Sequence, residues 1–182
     1  MPSNLPPARS RRALRPTLLI VGCGDVGLRV LQELKGRWRV LALTSSPQRH
    51  GQLRAAGAIP LAGNLDEPVT LGRLAGLADA VLHLAPPPAQ GGHDSRTRSL
   101  LAALARSSRV RRVVYASTTG VYGDCGGAWI DETRPLRPST DRARRRVDAE
   151  ARLRWYGRAS GPRVTILRVP GIYACDREGG DP

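Results

Sequence analysis

The 182-residue chain has no phenylalanine, and aromatic residues make up 4% of it. So sparse a set does not furnish the rows of rings on which unpaired bases stack. Cysteine is scarce as well. Cys23, Cys125 and Cys175 are odd in number and widely spaced, which excludes a disulfide framework and any zinc-ligand spacing and points to a reducing cytoplasm. No metal site is expected. No apolar run reaches the roughly 18 residues that span a bilayer. The first 16 residues carry Arg9, Arg11, Arg12 and Arg15 and no acid. No apolar h-region with a small-residue cleavage site follows them, so they read as a disordered, solvated basic arm before a domain over 17–182.

Lysine occurs once, at Lys35, and arginine supplies the other 28 of 29 basic residues against 15 acids, a formal charge of +14. Such an excess can attract polyanions. With no nucleic-acid motif beside it, the composition fits an arginine-rich chain holding an anionic cofactor, and nucleic acid is disfavoured as a partner. Length and 41% hydrophobic content allow one globular domain with a core of its own.

Apolar periodicity lays out six strands and their connecting helices. Thr17–Val21 is a run of branched residues ending in glycine, as a strand buried on both faces reads. A helix follows over Val26–Leu34, closed by Gly36, and then a strand over Trp38–Leu43. Ser46 as cap and Pro47 at the first helical position predict a helix to Ala56. Further strands are expected at 58–61, 80–85, 113–117 and 163–168, with helices at 69–77, 94–107 and 139–156. Strands alternating with helices predict an α/β fold, a doubly wound parallel sheet of Rossmann type.

The segment Gly22-Cys23-Gly24-Asp25-Val26-Gly27 fits G-x-G-x-x-G between a strand and a helix, the context that gives the pattern meaning. Gly22 allows the tight turn, Gly24 the approach of backbone amides to a pyrophosphate, and Gly27 close helix–strand packing. The helix N-terminus favours the anion. An NAD site places an acid after the second strand, but no Asp or Glu lies between Glu33 and Asp66. Thr44, Ser45, Ser46 and Arg49 stand there instead, hydroxyls and a guanidinium that suit a 2′-phosphate. NADP is therefore expected over NAD.

Five segments in order resemble the short-chain dehydrogenase/reductase superfamily, in its extended and atypical NAD-dependent epimerase/dehydratase-like branch. They are the glycine loop; Gly63-Asn64-Leu65-Asp66; His83-Leu84-Ala85-Pro86; Tyr115 to Asp124 with the Trp129–Glu132 and Pro135–Pro138 stretches; and Leu167 to Tyr173. The resemblance implies that Asp66 sits beside the adenine and that Leu84, Ala85 and Pro86 pass under the cofactor. Ser117 joins the expected cofactor-binding residues, and Thr118 corresponds to the hydroxyl that holds a substrate's reacting oxygen. Read from the residues alone, Ser117, Thr118 and Thr119 could equally serve a turn.

The family's Tyr-x-x-x-Lys pair falls on Arg142 and Arg146. Arg146 can still donate to ribose hydroxyls, but Arg142 cannot replace a phenol, because guanidinium stays protonated. Asp141, Tyr122, His93 and Cys125 remain open as substitutes, with Tyr122 the more natural turn residue. The run Arg142, Arg144, Arg145, Arg146 reads as a solvated helix face. The resemblance also implies a C-terminal substrate lobe that this sequence lacks, leaving an exposed sheet edge, a route to homo-oligomers and an unread small-molecule substrate. A non-catalytic dinucleotide-binding sensor or scaffold is the alternative to an oxidoreductase or sugar-nucleotide epimerase/dehydratase-like protein.

Overall fold

The computed structural model describes residues 15–172. Most of the expected basic arm, as well as Tyr173 and Cys175, lies outside them. Six strands are present: β1 (Thr17–Val21), β2 (Arg39–Thr44), β3 (Ile59–Ala62), β4 (Ala80–His83), β5 (Arg112–Thr118) and β6 (Arg163–Val169). They form one sheet of order β3-β2-β1-β4-β5-β6, parallel at every pairing. This is the doubly wound arrangement the sequence predicts. The order reverses between β1 and β4, where the carboxyl ends of the strands leave a crevice.

Side chains of each strand alternate between two cores. One face carries Leu18, Ile20, Val40 and Ala42 against α1 (Asp25–Glu33) and α2 (His50–Ala55). The other carries Leu19, Val21, Leu41, Val81, Val113 and Tyr115 against α3 (Ser95–Leu104) and α4 (Asp141–Ser160). β1 is buried along its whole length, which is why it reads as an unbroken apolar run. β6 alternates exposed and half-buried residues at the sheet edge, and Leu167 and Ile172 stand exposed there. Among the described residues no helix is long and apolar enough to cross a membrane.

Several helix expectations shift. Val69–Leu77 is a 3₁₀ run over Pro68–Leu74, which reaches Ala75 in extended conformation before a full α-turn is established. Pro47–Ala56 divides into 3₁₀ at Pro47–Arg49 and then α2. Ser46 is extended but does not cap: its hydroxyl donates to Gln48 Oε1 at 2.8 Å, while the Thr44 hydroxyl accepts from the Ser46 amide at 3.2 Å. Asp94 caps α3 by accepting from Thr97 N at 2.9 Å, so that helix starts one residue later than expected and ends at Leu104. α4 begins two residues later than expected, because the Thr140 hydroxyl accepts from Ala143 N. It ends four residues later, where Gly161 takes the left-handed conformation (φ 88°) that glycine accepts most readily.

Candidate functional site

The glycine loop sits at the switch point. Gly22 has φ 84°, and a Cβ there would lie inside van der Waals contact of the Ala85 backbone. The reason is the path of the chain after β4: Leu84 N and Ala85 N both donate to Val21 O, at 2.8 and 2.9 Å. Leu84 and Ala85 thus run beside the loop. At Gly27 an added Cβ would meet Cys23 Sγ at 2.9 Å and lie in ordinary contact with Ile20 Cγ2 at 3.6 Å, so α1 sits close on the loop and the Cys23 side chain would have to give way. Gly24 faces open space and precedes the first turn of α1, whose amides lack intrahelical acceptors and carry the positive end of the helix dipole. The cradle therefore fits a pyrophosphate. Asp25 and Val26 form that first turn, and burial pushes the Cys23 thiol upward.

Beside the loop, Arg49 Nη2 donates to Cys23 O at 2.7 Å. A cavity of about 330 Å³ opens at the carboxyl ends of β2 and β3, lined among others by Thr44, Ser45, His50, Asn64, Glu67 and Arg73. Among the described residues, none is a hydrogen-bond partner of the buried His50 Nε2. Asp66 is not free: Arg96, in the first turn of α3, holds both its oxygens at 2.8 and 2.6 Å and lowers its pKa. The same guanidinium reaches Pro86 O at 3.4 Å, tying the loops after β3 and β4 together.

At the end of β5 three expectations meet different outcomes. The Thr118 hydroxyl oxygen accepts from Gly120 N at 3.2 Å, the local turn bond weighed from sequence, while the residue stays half-buried at the strand's end. Ser117 turns away from the crevice. Its hydroxyl donates to Glu150 Oε1 at 2.6 Å, inside the protein. Arg146 is 7% exposed and its Nη1 donates to Tyr115 Oη at 3.0 Å and Ala116 O at 2.6 Å. Arg146 thus spends one arm of its guanidinium inside the protein, and the arginine run is not a solvated face throughout. Arg145 is also buried and donates to Gly91 O at 2.8 Å, while Arg142 and Arg144 remain exposed. Gly91 O, Tyr115 Oη and Ala116 O draw Arg145 and Arg146 inward, while Arg142, one turn before Arg146, stays exposed.

Candidate acid/base substitutes fare similarly. Tyr122 is buried in the turn after β5, its hydroxyl accepting from Arg168 Nη1 at 2.7 Å. Asp141 pairs with Arg144, His93 Nδ1 with Asp148 at 3.1 Å, and the Cys125 thiol lies 3.6 Å from Gly123 O. Tyr115 approaches Arg146 as a phenol beside a cation, but burial pushes its pKa up to about 12 and leaves it 0% exposed. It cannot take a substrate proton.

Sequence reasoning missed two buried polar groups behind these residues. Glu150, 0% exposed, accepts from Ser117, from Arg154 Nη2 at 2.9 Å and from Arg168 Nη2 at 2.9 Å. Its pKa is lowered: burial alone would raise it, and the Arg168, Ser117 and Arg154 contacts outweigh that. The Arg146-Glu150-Arg154 spacing of four was the available signal. His83 is the other. Thr97 Oγ1 donates to Asp94 Oδ2 at 2.8 Å and so accepts from His83 Nε2 at 2.9 Å. The ring is thus the Nε2–H tautomer, with Nδ1 buried and without a partner among the described residues. Burial pushes its pKa down to about 3. Among the described residues, no group of three His, Cys, Asp or Glu could hold a metal.

Comparison with known proteins agrees with this geometry. The family model of the NAD dependent epimerase/dehydratase family matches residues 18–181. The structure of a functionally unknown conserved protein from Silicibacter pomeroyi DSS is 34% identical with a TM-score of 0.69, covering 87% of this chain and 53% of that one. A short-chain dehydrogenase/reductase superfamily protein from Agrobacterium tumefaciens, solved with bound NAD, is 26% identical with a TM-score of 0.68, covering 84% of this chain and 48% of that one. Protein YeeZ of Escherichia coli (strain K12) is 34% identical over 76 residues, which are 42% of this chain and 26% of YeeZ. The chain spans about half the length of these solved structures and a smaller part of YeeZ.

Proposed function

The chain belongs to the NAD dependent epimerase/dehydratase family, and from that premise we propose that it binds a nicotinamide dinucleotide, NADP in preference to NAD, for oxidoreductase or sugar-nucleotide epimerase/dehydratase chemistry. The observation that carries this reading is the glycine loop itself, where Gly22 occupies a position that no side chain fits, Gly27 sits close against Cys23, and Gly24 opens onto solvent at a helix N-terminus. The bound NAD of the Agrobacterium tumefaciens relative supports the cofactor class. NADP is favoured by the absence of an acid between β2 and α2 and by the cavity beside it, where Thr44, Ser45, His50 and Arg73 outweigh Glu67 as partners for a phosphate.

When bound, the nicotinamide supplies a hydride acceptor or donor. The chain's own part is to hold the pyrophosphate on the α1 N-terminus and to offer the Thr118 hydroxyl proton to a substrate oxygen at the end of β5. Arg96 keeps the two adenine-side loops in place through Asp66 and Pro86. A second reading, a dinucleotide-binding sensor or scaffold without turnover, is favoured by one observation: Arg146, where the family carries its lysine, is locked on Tyr115 and Ala116.

Turnover of carbonyl and sugar-nucleotide substrates, assayed with NADPH, separates the two. The enzyme reading expects turnover in the wild-type chain and its loss in Thr118→Val. NADPH binding without turnover, unchanged in the Arg142→Tyr, Arg146→Lys double variant, establishes the sensor reading. Turnover that appears only in the double variant marks a chain that has lost its base.

A further inference from the structure

The positive charge of the chain is segregated in the fold. Because all strands are parallel, their N-terminal ends and the C-terminal ends of the helices form one edge of the molecule, opposite the glycine loop. Three strands open on exposed arginines: Arg39, Arg112 and Arg163. Arg15 precedes β1, while Arg109 and Arg111 precede β5. Lys35, Arg37, Arg54, Arg106 and Arg158 lie at or just beyond the ends of the four helices, and all are exposed. Against these eleven cations the edge sets two carboxylates, Glu33 and Asp79, whereas the rest of residues 15–172 carries fourteen cations and ten carboxylates.

Helix dipoles explain part of this, since cations are favoured at helix C-termini. They do not explain the strand-opening arginines. Arg112 and Arg163 are direct register partners on neighbouring strands, so their side chains leave the same face side by side. Like charges so placed destabilise a sheet. The ion pair at this edge, Arg109 with Asp79, leaves both without a carboxylate among the described residues.

We propose that this edge docks on the phosphate backbone of double-stranded nucleic acid. Guanidinium forks match phosphate oxygens in bidentate geometry. From β2 to β6 the edge spans four strand spacings, roughly 19 Å, so several phosphates can be met at once. A membrane surface fits less well: the exposed large apolar residues nearest this edge, Ile59 on β3 and Trp155 on α4, lie at its opposite ends and form no common wedge. Unpaired strands fit less well too, for want of a row of exposed rings. The contact is to backbone and independent of sequence, and the dinucleotide crevice stays open on the far side.

The test is fluorescence anisotropy of a labelled 25-base-pair DNA duplex with the full chain, between 50 and 200 mM salt. About four phosphate contacts predict a weakening on the order of a hundredfold over that range. Arg112→Glu with Arg163→Glu is expected to weaken binding at least tenfold. Arg98→Glu with Arg137→Glu, an equal charge change at exposed sites elsewhere, is expected to weaken it less than threefold. Should the first pair fail to fold, by circular dichroism, Arg39→Ser with Arg111→Ser takes its place with the same expectation. Absence of duplex binding, equal loss in both pairs, or binding to vesicles of 30% phosphatidylserine but not to duplex each overturns the proposal.

Discussion

Gly22 is the residue on which the cofactor reading turns. Its φ of 84° and its contact with the Ala85 backbone mean that a single methyl group must displace the turn. Gly22→Ala is therefore expected to lower stability by about 1–3 kcal/mol and dinucleotide affinity at least tenfold, readable by urea denaturation and by titration. His83 gives a second prediction at this scale. With its pKa held at about 3 against an ordinary 6.5, the folded protein keeps the ring neutral while the unfolded chain takes up a proton. Its contribution to stability is full above pH 6.5 and is lost progressively as pH falls toward 3. Urea midpoints across that window should fall with acid, and His83→Leu should flatten the slope; an equally steep slope in the variant refutes the assignment. Neither the His83–Thr97–Asp94 chain nor the inward turn of Ser117 is legible in sequence. A strand's alternation says which face a residue occupies, not which partner waits there.

The elements around the site were more legible than its side chains. β1, Gly22 and α1 were readable because a glycine-punctuated change from strand to helix periodicity has few other physical meanings. The 3₁₀ run at Pro68–Leu74 was not, since its apolar residues also satisfy an α-helical period. α4 shows the sharper failure. Its arginines looked like a solvated face, yet Arg145 and Arg146 point inward, because what decides their burial is acceptors brought from elsewhere: Gly91, Tyr115 and Ala116. At this scale the joint between α4 and β6 is the Glu150–Arg168 ion pair, set beside Ser117 by the β5–β6 register that pairs Ser117 with Arg168. Arg168→Leu leaves a fully buried carboxylate with one of its two cations, Arg154, and is expected to cost about 2 kcal/mol or more, measured by urea denaturation at pH 7. A loss under about 1 kcal/mol contradicts that role.

For the molecule as a whole, the sheet order places two chemically different edges back to back. The carboxyl edge gathers the glycine loop, the Thr44–His50 cavity and Thr118, with carboxylates paired to arginines around them. The amino edge gathers exposed cations in excess of its carboxylates. That separation was invisible in a net charge of +14, which carries no direction. Dinucleotide binding at the first edge is read by titrating the chain with NADPH and NADH, following nicotinamide fluorescence, beside Gly22→Ala. Saturable binding is predicted, tighter for NADPH than for NADH and at least tenfold weaker in the variant. No saturable binding of either dinucleotide, or equal binding in Gly22→Ala, would contradict the account.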